Sequence, residues 1–184
     1  MFKRCLFLAL TMVIISSITA CTSHREQEAG TYVPTSPEIT VTVILGTWSW
    51  DAESNKQGLF DETDFFWRQV TEKERYLEPV NGAKAKLISD SDFDKIDPDF
   101  IKRQNLSEER ISGSNQGGRL SPGAIVMFKT AEGNLGKLQI EKYRALHDFS
   151  FPEAKYLSED WKSFALGKPN NETYHLQVRW QLYR

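Results

Sequence analysis

Tyr174-His175-Leu176-Gln177-Val178-Arg179-Trp180-Gln181-Leu182-Tyr183 is the segment on which the fold turns. Tyr174, Leu176, Val178, Trp180 and Leu182 share one face, and His175, Gln177, Arg179, Gln181 and Tyr183 share the other. That period of two is what an extended chain with one buried side requires, and it makes His175 a surface residue. Upstream, Ala124 to Thr130 is a near-continuous apolar run and Ala131-Glu132-Gly133-Asn134 has the chemistry of a turn. Leu138 and Ile140 then alternate with Lys137, Gln139 and Glu141, so the two segments read as a hairpin. Near the start, Ile39, Val41, Val43 and Leu45 alternate with Thr40 and Thr42 in another strand. Gly46 interrupts it, and Trp48 and Trp50 follow on the opposite parity. Either a bulge at Gly46 returns both indoles to the core, or they stand on the other face of the sheet.

Helices are expected only as short pieces. Asp61 is placed to cap one with an acidic first turn, Glu62-Thr63-Asp64, and with Phe66 and Val70 four apart on one side. Asp97-Pro98-Asp99 opens a second, because proline suits the first helical position. Ser158-Glu159-Asp160 opens a third, with Trp161, Phe164 and Ala165 at helical spacing and Gly167 then Pro169 ending it. Ser112 to Gly123 reads as a mobile surface loop. It is not a phosphate loop, since Arg119-Leu120 stand where lysine and a hydroxyl residue would be needed. The expected fold is mainly β, with α+β as the alternative: an antiparallel sheet or small barrel carrying two or three short helices.

The N-terminus has a different character. Lys3 and Arg4 precede an apolar run from Cys5 to about Ile15, and small residues follow. This is the pattern of a secretory signal, and the run is shorter than the roughly 20 residues a membrane span needs. Ile18-Thr19-Ala20-Cys21 resembles the lipobox of bacterial lipoproteins, in which an aliphatic residue and two small ones precede cysteine. The resemblance implies diacylglycerol on the Cys21 thiol, cleavage before it and acylation of the new amine, palmitate being the usual kind of chain. Two or three chains hold a protein on a bilayer where one would only visit it. Thr22 stands where aspartate would favour inner-membrane retention, so the resemblance points to the cell envelope, and to the outer membrane of a double-membraned cell. Residues 1–20 are therefore read as signal peptide, 21–38 as a solvated tether ending in Pro34 and Pro37, and 39–184 as one β-rich domain.

After cleavage 164 residues remain, and loss of Lys3 and Arg4 leaves 21 basic residues against 25 acidic ones. A mildly acidic chain lacks the basic field that nucleic acid requires. With Cys5 removed and Cys21 lipidated, the domain has no thiol for a disulfide, a metal site or a nucleophile.

Leu45-Gly46-Thr47-Trp48-Ser49-Trp50-Asp51, Phe66 to Thr71, Leu77 to Ala83 and the closing Trp180 to Tyr183 are similar to a small extracellular domain of diverse bacterial surface proteins. That domain has no assigned function, so the resemblance carries no catalytic residue to this chain.

Asp90-Ser91-Asp92-Phe93-Asp94-Lys95-Ile96-Asp97 has acids at alternate positions, yet Lys95 and Ile101 occupy positions where a calcium loop needs glycine and glutamate. Phe93 and Ile96 read instead as core anchors. Asp51 with Glu53 and Asp61 with Asp64 are nominal carboxylate pairs for glycoside hydrolysis. His147 or His175 would have to complete any serine triad, and no nucleophile signature accompanies them. No metal and no cofactor is expected. Of the five tryptophans, Trp48 and Trp50 are the candidates for a stacking surface, with Thr47 and Asp51 supplying polar contacts. The expected role is binding of an envelope protein or glycan, with a carboxylate-based glycan hydrolase as the alternative.

Overall fold

The computed structural model describes residues 37–58, 62–71, 74–88, 91–113, 118–168 and 173–184. Among them, strands form two antiparallel sheets of five. The first runs in the order β1 (Thr40–Ile44), β10 (Thr173–Tyr183), β9 (Leu135–Ala145), β8 (Ile125–Lys129), β6 (Lys84–Ile88). The second runs β3 (Lys56–Gly58), β2 (Ser49–Asp51), β4 (Phe65–Gln69), β5 (Arg75–Pro79), β7 (Ile111–Ser112). Neither closes into a barrel.

The two sheets meet through one apolar core. Ile44, Val126, Phe128, Leu138, Ile140, Leu176, Val178 and Trp180 contribute from the first, and Trp50, Phe65, Trp67, Leu77 and Ile111 from the second. Each fully buried large side chain contributes about 1.5–3 kcal/mol, so this layer dominates the stability. β10 is central because its even-numbered apolar face lies against β1 and β9 in register: Val178 is opposite Thr42 on one side and Ile140 on the other. The β8–β9 hairpin forms as its turn chemistry predicts, with Thr130 N–H donating to Asn134 O at 2.8 Å.

The outer face of the first sheet is not left to solvent, and this overturns the surface reading of His175 from alternation alone. At one end, Phe93 and Ile96 in a 3-10 turn and Ile101 in α1 (Pro98–Lys102) cover Ile125 and Met127. Lys137, on the polar side of the β9 alternation, is buried beneath that turn, its Nζ donating to Phe93 O at 2.6 Å and Ile96 O at 2.8 Å. Burial pulls the Lys137 ammonium below its ordinary range. At the other end, Phe151, Ala154 and Leu157, with Trp161 of α2 (Glu159–Leu166), cover Val43 and Leu45. His175 lies under this cover with 0% exposure, contrary to its surface assignment. Asp97 and Ser158 cap α1 and α2 as the sequence predicts, accepting from Phe100 N at 2.6 Å and Trp161 N at 3.1 Å.

β1 also reverses its predicted orientation. Its core face is Thr40, Thr42 and Ile44, opposite Trp180, Val178 and Leu176. Ile39 and Val41 are exposed, and Val43 and Leu45 are buried under the 150s segment together with Trp48 and Trp161. The free side of β1 is occupied in part by Gln57 of β3: its amide donates to Val43 O at 2.7 Å and accepts from Leu45 N at 2.8 Å.

The helix expected at 62–70 is instead β4. Phe65 and Trp67 point into the core, whereas Val70, its intended helical partner to Phe66, is exposed. Three consecutive aromatics prefer a pleated strand, and pairing to both β2 and β5 realises that preference. Asp61, the proposed cap, lies outside the described residues. The 112–123 segment is less of a surface loop than expected: Leu120 is in the core, and Tyr143 Oη reaches Leu120 O at 2.7 Å, so burial pushes that phenol up to about 12. Residues 114–117 lie outside the description.

Candidate functional site

The Trp48–Trp50 platform does not form. At Thr47 the backbone adopts φ 61°, and Thr47 N–H donates to Trp67 O at 2.9 Å. The chain therefore turns a corner from β1 into the second sheet, which is neither a bulge nor a continued strand. The two indoles part: half-buried Trp48 joins the cover over Val43 and Leu45, while Trp50 has 0% exposure between the sheets. Trp50 stacks on Phe65 at 6.0 Å and meets the Trp180 edge at 5.2 Å, and its indole N–H donates to Asn55 Oδ1 at 2.9 Å. Asp51 accepts from Glu53 N at 3.3 Å and Ser54 N at 3.2 Å, so its carboxylate holds the β2–β3 turn. Thr47 Oγ1 lies 3.4 Å from the Tyr174 hydroxyl. These residues are architecture.

The nominal carboxylate pairs are rearranged as well. Asp51, Glu53 and Asp64 bring oxygens within 4.8 Å of one another. Asp64 Oδ2 accepts from Ala52 N at 2.9 Å and Oδ1 from Ala131 N at 2.8 Å, tying the β2–β3 turn to the β8–β9 turn and hence one sheet to the other. Burial, partly offset by those two amides, pushes Asp64 up to about 7. Glu53 is held below its ordinary value: its burial is outweighed by hydrogen bonds from Thr130 and Asn134. Opposed carboxylates are what acid–base catalysis uses, but Asp64 has 1% exposure and both oxygens already bonded to backbone. Asp64 is closed to solvent and committed to the backbone, and through it the cluster acts as a latch between sheets.

The latch carries a pH signature. An unfolded Asp64 ionises near 3.8 while the folded one keeps its proton to about 7, so its contribution to stability falls as pH rises through that window. His175 acts oppositely: burial pulls it down to about 4 from 6.5, so stability is lost as pH falls through that range. In Asp64→Asn the amide NH2 faces a backbone donor, which costs about 1–3 kcal/mol. Urea unfolding at a series of pH values should show wild type losing more stability than the variant between mildly acidic and neutral pH. Parallel profiles would refute the latch. His175 itself cannot serve a triad, because its Nδ1 accepts from Gly46 N at 3.1 Å and its ring is enclosed by Phe151, Trp161 and Tyr174.

An open concavity of about 450 Å³ lies elsewhere, where the end of α1 overhangs β6 and β8. Ile101, Leu106 and Leu135 supply its apolar lining, and Lys84, Lys102, Lys129, Gln104 and Asn105 its polar one. A second, of about 250 Å³, is lined by Arg119, Ser91 and Ser121 among apolar neighbours. Among the described residues neither lining includes a carboxylate. Lys84 and Lys129 were not singled out from sequence, because their proximity is set by strand register and leaves no local signal. No family model, curated protein or solved structure matches the chain.

Proposed function

We propose that this chain is a lipid-anchored cell-envelope protein that acts by binding, with a glycan or protein as its partner. The observation that carries the binding half is the open concavity beneath α1, lined by Lys84, Lys102 and Lys129, in a fold whose buried acid Asp64 is occupied as structure. The anchor rests on Ile18-Thr19-Ala20-Cys21, which with the tether up to residue 36 lies outside the described residues. The described fold takes up where the tether is expected to end, with Gln181 Nε2 donating to Pro37 O. Among the described residues no helix is long and apolar enough to cross a membrane.

Cys21→Ser should abolish incorporation of labelled fatty acid and release the protein from membranes or leave it unprocessed. Equal label in wild type and variant would end the lipoprotein reading. Capture of solubilised envelope material by the wild-type chain tests the binding half, and a chain that retains nothing while hydrolysing envelope glycan would favour the enzyme instead.

A further inference from the structure

We propose that the concavity beneath α1 binds an acidic saccharide, with its lysines holding the oxyanion and its apolar lining meeting the C–H face of the sugar. This deepens the binding reading above and rests on it. Lys84 on β6 and Lys129 on β8 are direct cross-strand partners, so both ammonium groups leave the same face of the sheet side by side. Like charges directly opposite destabilise an antiparallel pair, and an unliganded fold gains nothing from them. Among the described residues Lys129 has no acidic partner, and Lys84 has only Glu108 at 3.8 Å, with both of those side chains well exposed. Lys102, at the end of α1, adds a third cation whose contact with Asp99 at 3.0 Å is likewise exposed. Exposed pairs of this kind hold a lysine weakly, so all three are available to a ligand.

The rest of the lining narrows the class. Gln104 Oε1 is taken by Lys86 Nζ at 3.2 Å, which leaves its NH2 as a donor, and Asn105 adds a second amide beside it. Amides beside cations suit hydroxyls next to an acid, and the half-buried Leu106 and Leu135, backed by Ile101, suit the apolar side of a ring. The volume of about 450 Å³ is within the range of small-ligand sites. The acid is a carboxylate or a phosphate ester; either presents the oxyanion that charge-assisted hydrogen bonds from lysine recognise.

The test titrates the isotope-labelled full chain, in detergent and at low salt, with glucuronate, glucose phosphate and glucose, following backbone amide shifts by NMR. Saturable shifts at Lys84, Gln104, Leu106 and Lys129 with one or both acids, weakened about tenfold or more in molar salt, are expected. The arm that responds identifies carboxylated or phosphorylated sugar as the source. Lys129→Glu should lose the response while its Tm stays level or rises, because a like pair becomes an opposite one. Should Lys129→Glu instead lower Tm, Lys102→Gln on the exposed helix end gives the same reading without touching the sheet. No shift with any probe, equal shifts with glucose, or an unchanged response in the lysine variants overturns the proposal. Capture of envelope material that persists undiminished in Lys129→Glu overturns this site while leaving the binding reading intact.

Discussion

Trp50→Ala should destabilise the fold by about 3–5 kcal/mol, the cost of truncating a fully buried aromatic. The indole sits between the sheets, bounded by Phe65, Phe128 and Trp180, so the neighbours that would have to collapse into the space belong to both. Truncation also leaves Asn55 Oδ1 without the indole N–H it accepts. Trp48→Ala, at a half-buried position over Val43 and Leu45, should cost distinctly less. Urea unfolding of the three proteins measures the difference. A near-neutral Trp50→Ala would restore the surface platform that the spacing of the two tryptophans suggests.

Val178→Asp should be as damaging or worse. The side chain has 0% exposure and lies in register between Thr42 and Ile140, in the layer both sheets share. An unpaired carboxylate there is disfavoured so strongly that it takes up a proton, and even the neutral acid lacks a built partner; a loss of several kcal/mol, roughly 3–5, is expected. Because the folded acid would hold its proton well above its unfolded pKa, the defect should be partly relieved at low pH. Val41→Asp, on the neighbouring strand but 53% exposed, should stay within about 0.5 kcal/mol of wild type. Equal losses at the two positions would mean that the faces of the first sheet are misassigned.

What local pattern encodes was legible: the apolar face of β10, the β8–β9 turn and the caps of α1 and α2 all follow from residues within a few positions of one another. β4 misled because residues four apart share a face in a strand as well as in a helix, and the acidic approach to Phe65 favoured the wrong choice. His175 misled for a different reason. Alternation marks which residues share a face but not whether a distant segment covers it, and the Phe151–Trp161 segment covers His175 as the Phe93–Ile101 segment covers Lys137. The same limit applies to the sites. Asp51 and Glu53 are neighbours in sequence, but Asp64 joins them only because two sheets dock, and Lys84 meets Lys129 only through register.

The Gln57 clamp on β1 has a bearing on how copies of this protein tolerate crowding. An outer strand with free amide and carbonyl groups is a template on which another chain can extend the sheet. Gln57 satisfies Val43 O and Leu45 N from within the molecule, and by strand alternation the Val41 pair and Val43 N–H are what β1 still presents on that side. The Gln57 side chain stands where an added strand would have to lie, so a ladder begun beside the exposed Ile39 and Val41 side chains is blocked at Val43. Molecules packed shoulder to shoulder would touch there without zipping together.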